Sequence, residues 1–264
     1  MGGRIVDSGH AVKVILNADD LGRDGRTNSA IFDLMAKGRL TSASILANGS
    51  AFEDAVRRFR DFPHCSFGVH LNLTEGFPLT AHPGFEAILD RDGAFQRDKI
   101  RRILVGPSLR TAVLAEWTAQ VEKALGVGVP VCHLDGHHHV HRIPGLFTTL
   151  KRLQRRFGIR CVRLTRNIYL PEETPPWSLR LSKALWNFGL RGCYRTRTTE
   201  GCTSLKTFML AAAASANRWR SVELMVHPGH PGYDEETRML SGEWWKALPF
   251  EIQLISYKDL TGSD

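Results

Sequence analysis

The chain has 264 residues, 42% of them hydrophobic and 23% charged, an ordinary globular composition with enough length to bury a substantial core. Lys and Arg number 35 against 27 Asp and Glu, a formal net charge of +8, yet no RNP, zinc-finger or helix-turn-helix pattern supports nucleic acid as the partner. No run of about 18 apolar residues occurs, so no membrane span is expected.

The first stretch, "MGGRIVDSGHAVKVILNADD", has no long apolar segment before a small-residue cleavage site, and no signal peptide is expected. "AVKVILNADD" (11–20) then reads as a buried strand that ends on two adjacent carboxylates, Asp19 and Asp20. A helical pattern over Thr27–Lys37 follows, then the strand "TSASILANG" (41–49), a second helical pattern over Phe52–Arg60, and the strand "CSFGVHLNL" (65–73) with His70 and Asn72 near its end. Residues 74–107 are rich in Gly and Pro and are expected to form a rim insertion. Ser108–Leu125 is helical in pattern, "VPVCHLDGHHH" (129–139) is a strand that runs into a histidine cluster, and Pro144–Phe157 is helical again.

The strand "IRCVRLT" (159–165) carries Arg163 and leads into a second insertion, 166–204. Within it Pro175 and Pro176 suit a helix start, and Trp177, Leu181, Leu185 and Phe188 share one helical face. Such a stripe usually packs on its own domain, which is the expectation; the alternative for a basic amphipathic helix is peripheral contact with a membrane. "SVELMVHPG" (221–229) places His227 just before a Pro228–Gly229 turn, and "FEIQLISY" (250–257) is the last strand. Five cysteines, with no CxxC pair and an odd total, read as reduced thiols in a cytoplasmic protein.

Strands that alternate with helices argue for parallel β/α units. About seven strands, with no linker or repeat dividing them, predict one domain over 1–264: a closed or nearly closed β/α barrel, with an open doubly wound sheet as alternative. The polar residues gather at the C-terminal strand ends, namely Asp19, Asp20, His70, Asn72, Asp135 to His141, Arg163 and His227. In barrels and open sheets alike that edge carries the active site.

"HLDGHHHVH" (133–141) holds five of the eleven histidines. In extended geometry His133, Asp135, His137, His139 and His141 would share one face. Clustered imidazoles beside carboxylates point to a divalent metal, with His70 as a candidate third ligand. A cation also explains the adjacent carboxylates: one would ligate it and the other stay free as a base. Two His and one Asp leave coordination positions open for water and substrate, as catalysis requires. His227, exposed by its turn, suits an acid/base role.

Five blocks, "NADDLG" (17–22), "GVHLNLTEGFPLT" (68–80), "HLDGHHHVH" (133–141), "ELMVHP" (223–228) and "ISYKDL" (255–260), resemble the YdjC/ChbG carbohydrate deacetylases in sequence and in order. The resemblance implies a TIM-barrel-like, distorted β/α barrel and metal-dependent removal of N-acetyl groups from sugars such as acetylated chito-oligosaccharides. It assigns the metal to Asp20, His70 and His137, the general base to Asp19 and the general acid to His227. Asp135, His139, Asn72 and Arg163 are then expected to support the ligands or bind substrate. The ion implied is Mg or Zn, the nitrogen donors leaning toward zinc, and a homodimer is compatible with the family. A metal-dependent phosphoester hydrolase is the enzymatic alternative, although no Gly-rich phosphate loop or second ligand set supports it. A non-catalytic sugar sensor of the same fold is the other, and a free carboxylate beside a ligand Asp argues against it.

Overall fold

The computed structural model describes residues 11–170, 172–214 and 219–260. The beginning of the stretch read above for a signal peptide, residues 1–10, lies outside them.

Eight parallel strands form one curled sheet: β1 (Val12–Leu21), β2 (Ser42–Ile45), β3 (Ser66–Leu71), β4 (Val131–Gly136), β5 (Cys161–Val162), β6 (Gly201–Ser204), β7 (Ser221–Val226) and β8 (Ile252–Leu254). The helices are α1 (Gly25–Ala36), α2 (Phe52–Arg58), α3 (Arg97–Arg102), α4 (Pro107–Gly126), α5 (Phe147–Phe157), α6 (Trp177–Gly192), α7 (Leu205–Ala214) and α8 (Asp234–Ser241). Short 3₁₀ turns join several of them.

The spatial order is β5-β4-β3-β2-β1-β7-β6, and β1 is an interior strand with nine of its ten residues buried. One edge of β1 pairs with β7 along Lys13–Ala18; the other serves β8 at its start and β2 at its end. Between β5 and β6 the sheet closes through loop backbone rather than a ladder. The Val162 N–H donates to the Arg197 carbonyl at 3.2 Å and the Asn167 N–H to the Cys202 carbonyl at 3.2 Å. The result is a distorted, nearly closed β/α barrel, as expected, with one strand more than the sequence pattern suggested. The missed strand is β6.

Local chemistry explains the helix boundaries. Asp24 caps α1 by accepting the Thr27 N–H at 2.8 Å, α4 begins on Pro107, and α5 ends at Gly158 with a left-handed φ of 68°. Inside the barrel the His133 ring stacks on Tyr257 with centroids 3.9 Å apart. Gly68 of β3 is required there, because a Cβ would lie 2.4 Å from His133 Nε2. Segment 74–107 is fastened to α4: the buried Glu116 carboxylate accepts the N–H groups of Leu79 and Thr80 and the Thr80 hydroxyl, at 2.7–3.0 Å.

One expectation is overturned. The stripe on α6 does not pack inward: Trp177, Leu181, Leu185 and Phe188 are 77%, 50%, 62% and 78% exposed. The helix instead buries Trp186, Asn187 and Leu190. Asn187 Oδ1 accepts the Thr165 N–H at 3.1 Å and Trp186 packs edge-on against Phe147, and these contacts choose the inward face. Helical periodicity reveals that an apolar face exists, not which way it points.

Candidate active site

Side chains alternate along β1 only until Asp20, whose φ is 68°. Aspartate tolerates this left-handed turn better than most residues, and the turn lets Asp19 and Asp20 reach one cavity. The histidine segment behaves similarly. His133 and Asp135 face the barrel interior, but the strand ends at Gly136 and the chain coils, with φ of 49° at His138 and 62° at His139. The expected single face from His133 to His141 therefore breaks after Asp135, and His137 is placed by the turn. Left-handed backbone at three non-glycine residues around one cavity is local strain of the kind functional sites store.

Three buried side chains converge. Asp20 Oδ1 lies 2.8 Å from His137 Nδ1 and 3.3 Å from His70 Nε2. It nevertheless accepts no well-aligned hydrogen bond, and the three donor atoms all fall within 4.8 Å of one another. Each imidazole is held from behind by a carboxylate: His70 Nδ1 is 2.7 Å from Asp135 Oδ1, and His137 Nε2 is 2.9 Å from Glu75 Oε2. Those partners fix the tautomers and aim the remaining nitrogen lone pairs at Asp20. The arrangement fits a divalent cation. Burial disfavours the charged form of His137, yet the neighbouring Asp20 and Glu75 carboxylates outweigh it and raise the pKa to about 9. A cation would take the place of that proton.

A second group, Asp19, His70 and Asp135, is equally close-knit, but it already holds a cation of its own. The Arg163 guanidinium donates to both Asp19 oxygens at 2.6 and 2.7 Å, lies 2.8 Å from Asp135 Oδ2, and bonds Glu223 at 2.7 Å. Glu223 also accepts from the Tyr257 hydroxyl. Burial alone would raise the Asp19 carboxyl; Arg163, His70 and His227 outweigh it and hold it well below the usual carboxylate range. Asp135 behaves likewise, held at about 2 against burial by Arg163 and His70.

His227, from the end of β7, brings Nε2 to 3.8 Å from Asp19 Oδ2. Burial lowers its pKa despite the nearby Asp19 and Asp20. Its backbone N–H donates to Glu236 at 2.6 Å, and burial pushes that carboxyl up to about 7.

Seven of the nine residues singled out from sequence thus meet: Asp19, Asp20, His70, Asp135, His137, Arg163 and His227. Asn72 does not reach the cavity. Its Oδ1 accepts from the Thr74 N–H and hydroxyl and its Nδ2 donates to the Glu75 carbonyl, so it shapes the turn that delivers Glu75 to His137. His139 does not join the ligand group and packs edge-on to His141 instead. Glu75, Glu223 and Glu236 were missed; each is one acid whose placement depends on a turn or on a distant strand, and only Glu75, inside the "NLTEG" block, left a signal.

The sequence profile described as YdjC-like protein matches residues 13–250. A carbohydrate deacetylase of Geobacillus stearothermophilus is 36% identical over 159 residues, covering 60% of this chain and 62% of that protein. A chitooligosaccharide deacetylase of Salmonella typhimurium (strain LT2) is 32% identical over 218 residues, 81% of each. Among solved structures, one from Enterococcus faecalis V583, named as a candidate cellobiose-phosphate cleavage protein, superposes with a TM-score of 0.74 over 95% of this chain and 99% of its own, at 23% identity. That likeness speaks to the fold alone.

Proposed function

The chain belongs to the YdjC-like protein family, and on that premise we propose that it is a metal-dependent carbohydrate deacetylase, a hydrolase that cleaves the acetamide of an N-acetylated sugar. The names of its relatives support the reaction class. The observation that carries the reading is the convergence of Asp20, His70 and His137 beside an Asp19 carboxylate that Arg163 holds in place, with His227 Nε2 3.8 Å from it.

A divalent cation held by Asp20, His70 and His137 would polarise the acetyl carbonyl and acidify the attacking water. Two nitrogens and one oxygen favour zinc or another transition ion over magnesium. Asp19 takes the water's proton. A carboxylate held this low is a weak base on its own and suits only an acidified water, and the two bonds from Arg163 fix its orientation. His227 Nε2, 3.8 Å from Asp19 Oδ2, is placed to receive that proton from Asp19 and pass it to the departing amine nitrogen. Acetate and the amino sugar leave. The five unpaired cysteines support an enzyme that works in the reducing cytoplasm.

The test is acetate release from a panel of N-acetylated sugars and chito-oligosaccharides, with the metal content of the same sample measured. Chelation should abolish release and added divalent ion restore it. Full release from a verified metal-free sample overturns the metal; no release from any sugar overturns the deacetylase.

A further inference from the structure

The outward face of α6 has no place in the site just described. Trp177, Leu179, Leu181, Leu185 and Phe188 stand exposed along one helix, a concentration of large apolar side chains that a solvated surface does not need. The charge around them is one-sided. α6 itself carries three cations, Arg180, Lys183 and Arg191, and no Asp or Glu, and Glu173, just before it, is paired with Arg166. One flank of α6 opens an apolar groove of about 730 Å³ walled by Phe147, Trp177, Leu181 and Leu185. The other opens a groove of about 650 Å³ where Arg166, Arg180, Lys183 and Arg191 gather beside Phe188.

We propose that this face of α6 docks the protein onto a membrane surface that carries anionic lipid. Charge complementarity chooses the occupant. A second copy of the chain seated on the same face would set the cations of one α6, Arg180, Lys183 and Arg191, against those of the other. An anionic bilayer supplies both halves of the match: headgroup charge for Arg180, Lys183 and Arg191, and an acyl boundary for Leu185 and Phe188. Trp177 is a side chain suited to that interface. The apolar groove is also walled by Arg142 and Thr165, which follow the C-terminal ends of β4 and β5, so docking brings the mouth of the barrel to the lipid surface.

The experiment is co-sedimentation of the full chain with vesicles of phosphatidylcholine alone and of phosphatidylcholine with phosphatidylglycerol, at low and high salt. Binding should require phosphatidylglycerol and weaken several-fold when ionic strength rises from about 0.1 to 0.5 M. Leu185→Asp with Phe188→Asp should lower it at least about tenfold, since the apolar contact is then lost. Arg180→Glu should weaken binding less and flatten the salt response. A melting curve like that of the parent confirms that each variant is folded. Failure of the parent chain to sediment with anionic vesicles overturns the proposal. So does undiminished binding by the Leu185/Phe188 variant, which would leave only non-specific attraction of a basic protein. A concentration-dependent dimer that the same variant abolishes would assign the face to a second copy.

Discussion

The cavity beneath Asp20 and the outer face of α6 break the same rule in opposite directions. One buries Asp19, Asp20, Asp135, Glu223 and Arg163 where apolar side chains are the norm; the other leaves Trp177, Leu185 and Phe188 in water. The buried violation is compensated on the spot, because the guanidinium meets three carboxylates, one of which also holds His70, and His137 meets a fourth, Glu75. Among the described residues nothing covers the exposed one. That contrast frames the two proposals: the cavity is organised by its own residues in a way that fits a small cation, and the helix face would be completed by an anionic lipid surface.

If the cavity is a metal centre, the largest effects come from its ligands. Asp20→Asn should lose both bound metal and turnover, since a neutral amide is a poor substitute for an anionic oxygen donor. Metal analysis of the purified variant beside its acetate-release rate checks this. Asp20→Asn that keeps its metal while Asp19→Asn sheds it would exchange the two roles.

Next come the groups that move protons. Asp19→Asn should retain metal and lose about 10²–10⁴-fold in kcat, the usual range for a missing base. His227→Ala should resemble it on the native substrate. An acetylated substrate with a better leaving group should then rescue His227→Ala in part and leave Asp19→Asn unrescued, because only the His227 step protonates the amine. Equal rescue of both variants would remove the division of labour.

The cavity was far more legible than the helix face, for a physical reason. Asp19, Asp20, His70, His137 and His227 are residue types that a buried strand end rarely contains without a task, so their positions alone drew attention. His139 lies apart from the ligand group because the chain coils past Gly136, and Asn72 acts at one remove, holding the turn that brings Glu75 to His137. The strand β6 escaped notice because "GCTS" is four residues with a glycine and no apolar run. On α6 the period of 3.6 was plain, but periodicity is identical whether a face meets the core or an outside partner. Only the contacts of Trp186 and Asn187 decide, and those depend on residues 147 and 165.

Arg163 tests whether the buried charges are as interdependent as their geometry states. Arg163→Met removes the cation from Asp19, Asp135 and Glu223 and should cost about 3–5 kcal/mol, the usual consequence of orphaning buried charge. The pH dependence carries the signature. In the parent, burial raises the Asp135 carboxyl but Arg163 and His70 outweigh it, and the folded value near 2 lies below the unfolded one. That stabilisation is therefore present above about pH 4 and is lost as pH falls toward 2. In the variant burial acts with less opposition, the carboxyls rise above their unfolded values, and stability falls as pH increases through them. The melting temperatures of parent and variant should be furthest apart near neutrality and converge in acid. A gap that widens toward low pH would refute the account.

The smallest expected effect is the one that separates the two faces of α6. Leu190 is fully buried, so Leu190→Ala should cost about 2–5 kcal/mol through lost burial and the cavity left behind. Leu185 and Phe188, on the same helix, touch mostly water, and Leu185→Asp with Phe188→Asp should change stability by no more than about 0.5 kcal/mol each. Helix propensity adds a little to that cost, because aspartate is a poorer helix former than leucine by a few tenths of a kcal/mol. Urea melts of the three proteins make the comparison directly, and the slope of each transition reports whether the surface exposed on unfolding has changed. A loss on the Leu185/Phe188 face as large as that for Leu190 would mean that the ridge is core after all, packed as its periodicity first suggested. Near-neutral stability together with lost vesicle binding would leave the ridge a single role, contact with lipid.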